Sequence, residues 1–333
     1  MTPRELVINT LEFASPARIP RHMWVLPYAT DHHPGMVSRI NNEFPDDIVY
    51  APEIYQILPK TAGDPYKIGY YTDEWGCTFE NKQKGIIGEV KEPLLGNWNG
   101  VDSIKTPDEL LSLDIDAVNA FCRNTDRFVL PACFARPFER IQFIRKSENL
   151  LCDLAYRPRE LFVLIEKVHD FYCKQLELWA GTEVEGLFFM DDWGAQDTLL
   201  INPNLWREIF KPLYRDYIDI AHRHGKYAFM HSDGHITDII PDLIELGLDA
   251  LNSQLFCMNI DDLGELFRGR LTFWGEIDRQ HLLPYGTTED IVRAVRSVKN
   301  AFYSDGGVIA QCEFGPGADP DNVYLVFKTW NEL

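Results

Sequence analysis

The sequence predicts a (β/α)₈ barrel, a TIM barrel, as a single domain over residues 1–333. Eight short apolar segments have the character of strands, and most are separated by segments with a helical pattern. An open doubly wound sheet is the alternative, but no Gly-x-Gly-x-x-Gly motif opens the first strand–helix unit. A length of 333 residues allows two domains, although barrels of this size are commonly single.

The strand candidates are bounded by turn residues or by helical patterns. In chain order they lie at residues 19–25, 47–52, 127–134, 186–192, 226–233, 249–255, 271–278 and 308–314. Residues 60–105 interrupt the alternation with turn residues and short β-like pieces. We expect this segment to be a hairpin-bearing insertion beside the mouth of the barrel.

Three helix starts can be predicted from capping signals. Residues 2–5 (TPRE) and 106–109 (TPDE) each have the pattern of a capping box with proline at the first helical position. Asn202 and Pro203 open a third helix, which should end at Gly225. Pro212 should kink it, because proline removes a backbone hydrogen bond.

Charge and cysteine usage limit the possible partners and compartment. The formal net charge of −19, with no long Lys/Arg run, disfavours nucleic acid and anionic membranes as partners. The seven cysteines are odd in number and form no Cys-x-x-Cys pair, which suits a reducing cytosol. The N-terminus has no signal-peptide pattern, and no apolar run approaches the roughly 20 residues that span a bilayer. We therefore expect a soluble, cytoplasmic protein.

Reactive side chains occur where several of the predicted strands end, and barrel enzymes carry their chemistry at those ends. The main candidates are Asp191 and Asp192 of the fourth strand, His231 and Asp233 of the fifth, Glu276 of the seventh, and Cys312 of the eighth. A buried carboxylate is costly unless it is paired or bound to metal. Such groups at successive strand ends predict a lined pocket.

Strand geometry suggests a metal site among these candidates. Side chains alternate along a strand, so His231 and Asp233 share one face. Cys312 could approach the same point from across the barrel mouth. An imidazole, a carboxylate and a thiolate would give a three-ligand zinc site with an open fourth position. The alternative is a hydrogen-bonded histidine, a helix-capping aspartate and an unrelated buried thiol.

Residues 191–254, from "DDWGAQDTLL" to "LDALNSQ", resemble the uroporphyrinogen decarboxylase superfamily. They look most like the branch that contains corrinoid-dependent methyltransferases. Residues 137–161 (PFERIQFIRKSENLLCDLAYRPREL) and 275–295 (GEIDRQHLLPYGTTEDIVRAV) fit the same branch. The resemblance covers nearly the whole chain and is specific over residues 186–290. It implies a single (β/α)₈ barrel.

The chain departs from the true decarboxylases of this superfamily. Those enzymes carry an arginine-rich motif after the first strand that grips the carboxylates of the porphyrinogen, but here no arginine lies between Arg21 and Arg39. The aspartate expected after the second strand is also missing, and Pro52 and Glu53 stand in its place. A polycarboxylate tetrapyrrole is therefore a poor substrate for this chain.

The methyltransferase branch binds zinc through a His-x-Cys motif after strand five and a cysteine after strand eight. His231 and Cys312 fall on two of these positions, and Asp233 stands where the first cysteine is usual. Aspartate is itself a competent zinc ligand. Its harder oxygen makes the zinc a stronger Lewis acid.

The resemblance thus implies a zinc-dependent methyltransferase with two partners, a corrinoid protein and a small thiol. Zinc deprotonates the thiol, which then attacks a methyl group on the corrinoid cobalt. Glu276 would be a displaceable fourth ligand or only an acid at the barrel mouth. Asp191 and Asp192 would orient the substrate or the groups that surround the ligands, or would cap the next helix. Trp75, in the DEWG segment 73–76, would cover the pocket.

Three other functions remain open at this point. The first alternative is a uroporphyrinogen decarboxylase-like lyase that acts without metal on a small carboxylate. The second is a hydrolase in which the zinc activates water. The third is a relative that binds a corrinoid or porphyrin without catalysis.

Overall fold

The computed structural model describes all 333 residues, and each predicted strand segment contains one strand. The strands are β1 (Arg21–Val25), β2 (Ile48–Ala51), β3 (Gly69–Thr72), β4 (Thr78–Asn81), β5 (Glu89–Val90), β6 (Phe128–Pro131), β7 (Gly186–Met190), β8 (Tyr227–Ser232), β9 (Ala250–Ser253), β10 (Thr272–Trp274) and β11 (Val308–Phe314).

Fourteen α-helices connect and cover these strands. They are α1 (Pro3–Leu11), α2 (Pro27–His32), α3 (Pro34–Glu43), α4 (Ile115–Arg123), α5 (Pro137–Arg145), α6 (Ser147–Tyr156), α7 (Arg159–Ala180), α8 (Pro203–Ile209), α9 (Lys211–Arg223), α10 (Ile240–Leu246), α11 (Ile260–Phe267), α12 (Leu282–Tyr285), α13 (Thr288–Phe302) and α14 (Pro320–Asn331). None of the helices is both long enough and apolar enough to cross a membrane.

The central strands form two parallel sheets in a TIM-barrel-like order. Six strands pair continuously in the order β1-β11-β10-β9-β8-β7, and β2 pairs with β6. The last strand therefore lies beside the first, as in a barrel and unlike a doubly wound sheet. The two sheets meet where the Met190 N–H donates to the Ala135 carbonyl at 2.9 Å and the Asp47 N–H donates to the Arg21 carbonyl at 2.8 Å.

At both seams between the two sheets, carboxylates accept hydrogen bonds from backbone N–H groups of the strands. Asp46 and Asp47 accept hydrogen bonds from the backbone N–H groups of Met23 and Arg21, at 2.7 and 2.8 Å. At the other seam Glu185 accepts the N–H of Val129 at 2.6 Å. Side chains thus satisfy strand amides that a regular ladder would pair with carbonyls.

Alternation along the strands separates an inner core from an outer one. Inward side chains such as Phe128, Phe188, Phe229, Trp274 and Ile309 form a small cluster with Val7 and Leu11 of α1. Outward side chains join a larger cluster beneath the surrounding helices. Helix α1 lies under the N-terminal strand ends, where the N–H of Gly307, just before β11, donates to the Thr10 carbonyl. The opposite end of the strands carries the reactive groups.

The segment at residues 60–105 forms the predicted hairpin structure. Strands β3, β4 and β5 make an antiparallel sheet, and the DEWG segment is the turn between β3 and β4. Asp73 accepts the N–H groups of Trp75 and Cys77 at 3.1 and 2.8 Å, and its carboxylate pairs with Arg140. Trp75 is buried against Phe171, with ring centroids 5.0 Å apart.

Two of the three predicted helix starts are confirmed. Thr2 makes a complete capping box, and Asn202 caps α8. The helix break near Pro212 is larger than a kink, because α8 and α9 are separate helices joined at Phe210. Gly225 follows the end of α9 at φ +66°.

The predicted helix at residues 106–109 is wrong. The structure has only a short 3₁₀ turn, Asp108–Leu111, and α4 begins later, with Asp114 as its N-cap. The Thr106 hydroxyl donates to the Asp108 side chain at 2.8 Å instead of accepting a backbone N–H. A capping box needs that acceptor, so the turn does not extend into a helix.

Candidate metal centre

Three of the predicted residues lie together at the C-terminal ends of β7 and β8. Ligand atoms of His231, Asp192 and Asp233 all lie within 4.8 Å of one another. The His231 Nε2 is 3.4 Å from Asp192 Oδ1 and 3.5 Å from Asp233 Oδ1. The cluster forms because His231 and Asp233 alternate onto the inner face, and because β7 pairs with β8.

Asn252 determines which nitrogen of His231 is available. The Asn252 amide nitrogen donates to the Trp274 carbonyl, so its Oδ1 faces the His231 Nδ1 as an acceptor, at 2.6 Å. The Nδ1 must therefore carry the hydrogen. This leaves Nε2, the nitrogen that faces the two carboxylates, as the one able to ligate a metal.

The two aspartates make the His231 environment strongly anionic. Although burial opposes it, the hydrogen bond with Asp192 and the charge of Asp233 raise the pKa of His231 to about 10. Burial also opposes ionisation of Asp192, but the hydrogen bond with His231 outweighs it and lowers the pKa of Asp192. The Asp233 Oδ1 is buried and has no hydrogen-bond partner. These features are those of a site that attracts a cation.

The structure does not bring Cys312 into this cluster. In β11, Cys312 pairs with Met23, and both side chains belong to the outer core beneath the helices. The neighbouring Glu313 lies on the other face and reaches Arg279 at the barrel mouth. Alternation therefore turns the thiol away from His231, and Asp192 takes the third place in the cluster. Burial also raises the pKa of Cys312 well above its usual value.

Asp191 lies on the opposite face of its strand from Asp192 and is fully buried. It accepts the N–H groups of Phe138 and Glu139 at 3.0 and 2.8 Å, at the start of α5. The Tyr214 hydroxyl donates to it at 2.5 Å. Asp191 therefore caps a helix, although not the next one along the chain, and fixes the position of Glu139.

Arg279 is a site residue that the sequence reasoning missed. Its guanidinium pairs with Asp233 and lies 3.5 Å from Glu276 Oε1 and 3.2 Å from Glu313 Oε1. Glu276 is almost fully buried, so Arg279 compensates its charge directly. The signal in the sequence was the position of Arg279, directly after the predicted strand 271–278 and three residues after Glu276.

A cleft of about 620 Å³ lies between the insertion and the ends of β2 and β6. Trp75 lines this cleft, and its role as a cover of the strand-end pocket stays a prediction. Arg136 and Glu139 also line it. Burial, joined by the charge of Asp192, raises the pKa of Glu139 to about 7. The cleft therefore extends from the insertion towards the aspartate–histidine cluster.

Comparison with known proteins agrees with this architecture. The family model described as Uroporphyrinogen decarboxylase (URO-D) matches residues 64–333. The matched range leaves out β1 and β2, near which the arginine motif and the aspartate of the decarboxylases are missing. No curated protein matches the chain in sequence.

Among solved structures, the chain is similar to a methyltransferase from Methanosarcina mazei. The TM-score is 0.71 and the identity 13%, with 100% of this chain and 99% of that chain covered. A 3-keto-D-glucoside 4-epimerase from E. coli is more distant, with a TM-score of 0.39 and 16% identity, covering 66% of this chain and 84% of that chain. At this identity the first similarity establishes a shared fold over the whole chain.

Proposed function

Because this chain belongs to the uroporphyrinogen decarboxylase family, we propose that it is a zinc-dependent methyltransferase of that family. It would move a methyl group between a corrinoid, held by a partner protein, and a small thiol. The observation that carries the proposal is the cluster of His231, Asp192 and Asp233 at the C-terminal strand ends. The shared fold with the M. mazei methyltransferase supports it.

The donor set of this cluster fits zinc. His231 offers Nε2, because Asn252 holds the hydrogen on Nδ1. Asp233 offers Oδ1, a buried oxygen without a hydrogen-bond partner, and Asp192 offers Oδ1 at 3.4 Å from the imidazole. One imidazole and two carboxylates suit a three-ligand catalytic zinc, which keeps a fourth position open for substrate. We therefore propose Asp192 as the third ligand instead of Cys312.

Zinc, when bound, would lower the pKa of a thiol in its open position, so that a thiolate forms at neutral pH. The corrinoid of the partner protein would supply the methyl group to this thiol, and cobalt would keep the electron pair of the carbon–cobalt bond. The thiol proton passes to solvent. Arg279 holds Asp233 and offsets the charges of Glu276 and Glu313, while Asp191 positions Glu139 at the inner end of the cleft.

The proposal extends to architecture and compartment. We propose that the eight central strands form a complete (β/α)₈ barrel and a single domain, which the order of the two sheets supports. We propose a cytoplasmic location, supported by seven cysteines that are all free.

One observation favours the alternative function, a metal-independent lyase that acts on a small carboxylate. Arg136 lines the cleft, and its nearest carboxylate, that of Glu139, is 4.0 Å away. Because this ion pair is long, the Arg136 guanidinium could bind a substrate carboxylate. The metal cluster favours the methyltransferase.

Metal analysis combined with a methyl-transfer assay separates the two functions. Asp192→Ala and His231→Ala should lose zinc and the transfer of methyl from methylcobalamin to a thiol. Cys312→Ser should keep both, because its side chain faces the helices. Retention of zinc in His231→Ala would overturn the ligand assignment. If the protein releases carbon dioxide from a small carboxylate after a chelator has removed its metal, the lyase is favoured.

A further inference from the structure

A second, much smaller pocket lies on the other side of the proposed metal site, between the loops that follow β9 and β10. Its volume is about 30 Å³, which is room for one or two small groups. The lining is mostly polar and includes Gln254, Cys257, Glu276, Asp278 and Arg279. None of these residues lines the 620 Å³ cleft.

The small pocket shares a wall with the proposed ligand Asp233. Arg279 lines the pocket and pairs with the Asp233 carboxylate. Gln254 also lines it and accepts the N–H of Gly234 at 3.0 Å. A molecule held at the metal could therefore extend into this pocket, while a large partner approaches through the cleft.

Glu276 gives the pocket its chemical preference. The side chain is 2% exposed, and its Oε2 has no hydrogen-bond partner. Arg279 lies 3.5 Å from the other oxygen, Oε1. A buried carboxylate oxygen left unpaired is costly, so a ligand that donates a hydrogen bond or carries a positive charge would gain from meeting it.

The charges around the pocket work in the same direction. Three carboxylates, those of Asp233, Glu276 and Glu313, lie around the single guanidinium of Arg279. A fourth carboxylate, that of Asp278, also lines the pocket. Asp278 Oδ1 accepts the N–H groups of Gln280 and His281 at 2.8 and 2.9 Å, and Asp278 Oδ2 lies 3.2 Å from the His281 Nδ1, so both of its oxygens already have partners. An anionic ligand would be repelled by these like charges. An ammonium group would be attracted by the excess of negative charge and could pair with the unpaired Oε2 of Glu276.

We propose that this pocket holds the tail of the methyl acceptor, and that the acceptor is a short thiol carrying a protonated amine paired with Glu276. This inference rests on the proposed function, because it assigns the thiol of that reaction to one side of the metal site. The pocket would select against thiols that carry a carboxylate or a sulfonate.

The test uses the methylated products as probes, because thioethers bind zinc weakly and do not strip it. Binding of 2-(methylthio)ethylamine, 2-(methylthio)ethanol and 3-(methylthio)propionate to metal-free and zinc-loaded protein is measured by calorimetry. We expect the amine to bind at least about tenfold more tightly than the carboxylate, as a charge-assisted hydrogen bond would give. The alcohol should lie between them.

Two variants locate the preference. Glu276→Gln should weaken binding of the amine about tenfold and leave that of the alcohol nearly unchanged. Asp278→Asn removes the same charge from the same pocket, but the oxygens of Asp278 already have hydrogen-bond partners. This variant should therefore weaken binding of the amine clearly less than Glu276→Gln does. If Glu276→Gln does not fold, the order of the three probes on the parent protein still decides.

The outcomes separate this inference from the proposed function. Equal binding of the amine and the carboxylate, or a Glu276→Gln variant with the parent's preference, overturns the pocket assignment, while methyl transfer to thiols can still be observed. Amine-selective binding without any methyl transfer keeps the pocket and overturns the methyltransferase.

Discussion

Asn252 shows how a residue outside the proposed ligand set can determine the metal chemistry. It is fully buried on β9, where its amide nitrogen is committed to the Trp274 carbonyl and its oxygen to His231. Such outer contacts orient a ligating imidazole and fix its tautomer. The metal affinity of the cluster should therefore depend on a side chain that touches no metal.

We expect Asn252→Ala to lower zinc affinity about tenfold to a hundredfold, because His231 loses the acceptor that holds its ring. Competition with a chromophoric chelator measures the affinity. Ser253→Ala is the matched control, since Ser253 is equally buried on the same strand but faces the other way. Equal zinc affinity in Asn252→Ala and the parent would contradict the role of Asn252 in orienting the His231 ring.

Arg279 should stabilise the protein chiefly when no metal is bound. Arg279→Met leaves Asp233, Glu276 and Glu313 without their cation, and we expect a loss of about 3 kcal/mol in the free energy of unfolding. Bound zinc would supply positive charge at Asp233, so zinc should stabilise the variant more than the parent. Urea unfolding with and without zinc measures both effects. If zinc stabilises the variant no more than it stabilises the parent, Arg279 does not compensate charge at the metal site.

Individual residues of the site could be predicted only where strand periodicity was enough. His231 and Asp233 were placed correctly on one face, because a period of two follows directly from strand geometry. Cys312 was predicted from its place across the barrel mouth and from the family resemblance, and the structure shows that it faces outward. Arg279 was missed because its role depends on a loop conformation.

At the level of elements, apolar runs sufficed to find all eight central strands, whereas the seams between the two sheets could not be predicted. The sequence predicts Asp47 as the first residue of the second strand, whereas in the structure it directly precedes β2. In the structure it is 1% exposed, accepts the Arg21 N–H and pairs with Arg18 at 2.6 Å. This role depends on a long-range contact that no local pattern encodes.

We expect Asp47→Ala to lower the free energy of unfolding by about 3 kcal/mol, because a backbone N–H and a guanidinium both lose their acceptor. Asp47→Asn keeps an oxygen for the Arg21 N–H and should cost less. Chemical denaturation at neutral pH measures both. A cost for Asp47→Ala below that of an exposed control such as Glu89→Ala would show that the seam does not need this carboxylate.

For the whole molecule, stability depends on pH partly because one histidine is buried in its neutral form. His22 lies inside the sheet, 3% exposed and stacked on Trp274 with ring centroids 5.4 Å apart. Its Nδ1 has no hydrogen-bond partner. Burial lowers the pKa of His22 to about 3, so the native state keeps this ring neutral at pH values where an unfolded chain binds a proton.

His22 should therefore make the protein less stable as the pH falls. Between the unfolded pKa of about 6.5 and the folded pKa of about 3, the unfolded chain holds one more proton, so the contribution is intact above pH 6.5 and is lost progressively below it. At pH 5 the expected loss is about 2 kcal/mol. His22→Phe keeps an aromatic ring against Trp274 but cannot titrate, so its free energy of unfolding should fall by about 2 kcal/mol less than the parent's between pH 7 and pH 5. Urea unfolding of both proteins at the two pH values measures the difference, and parallel losses would show that His22 accepts a proton without unfolding.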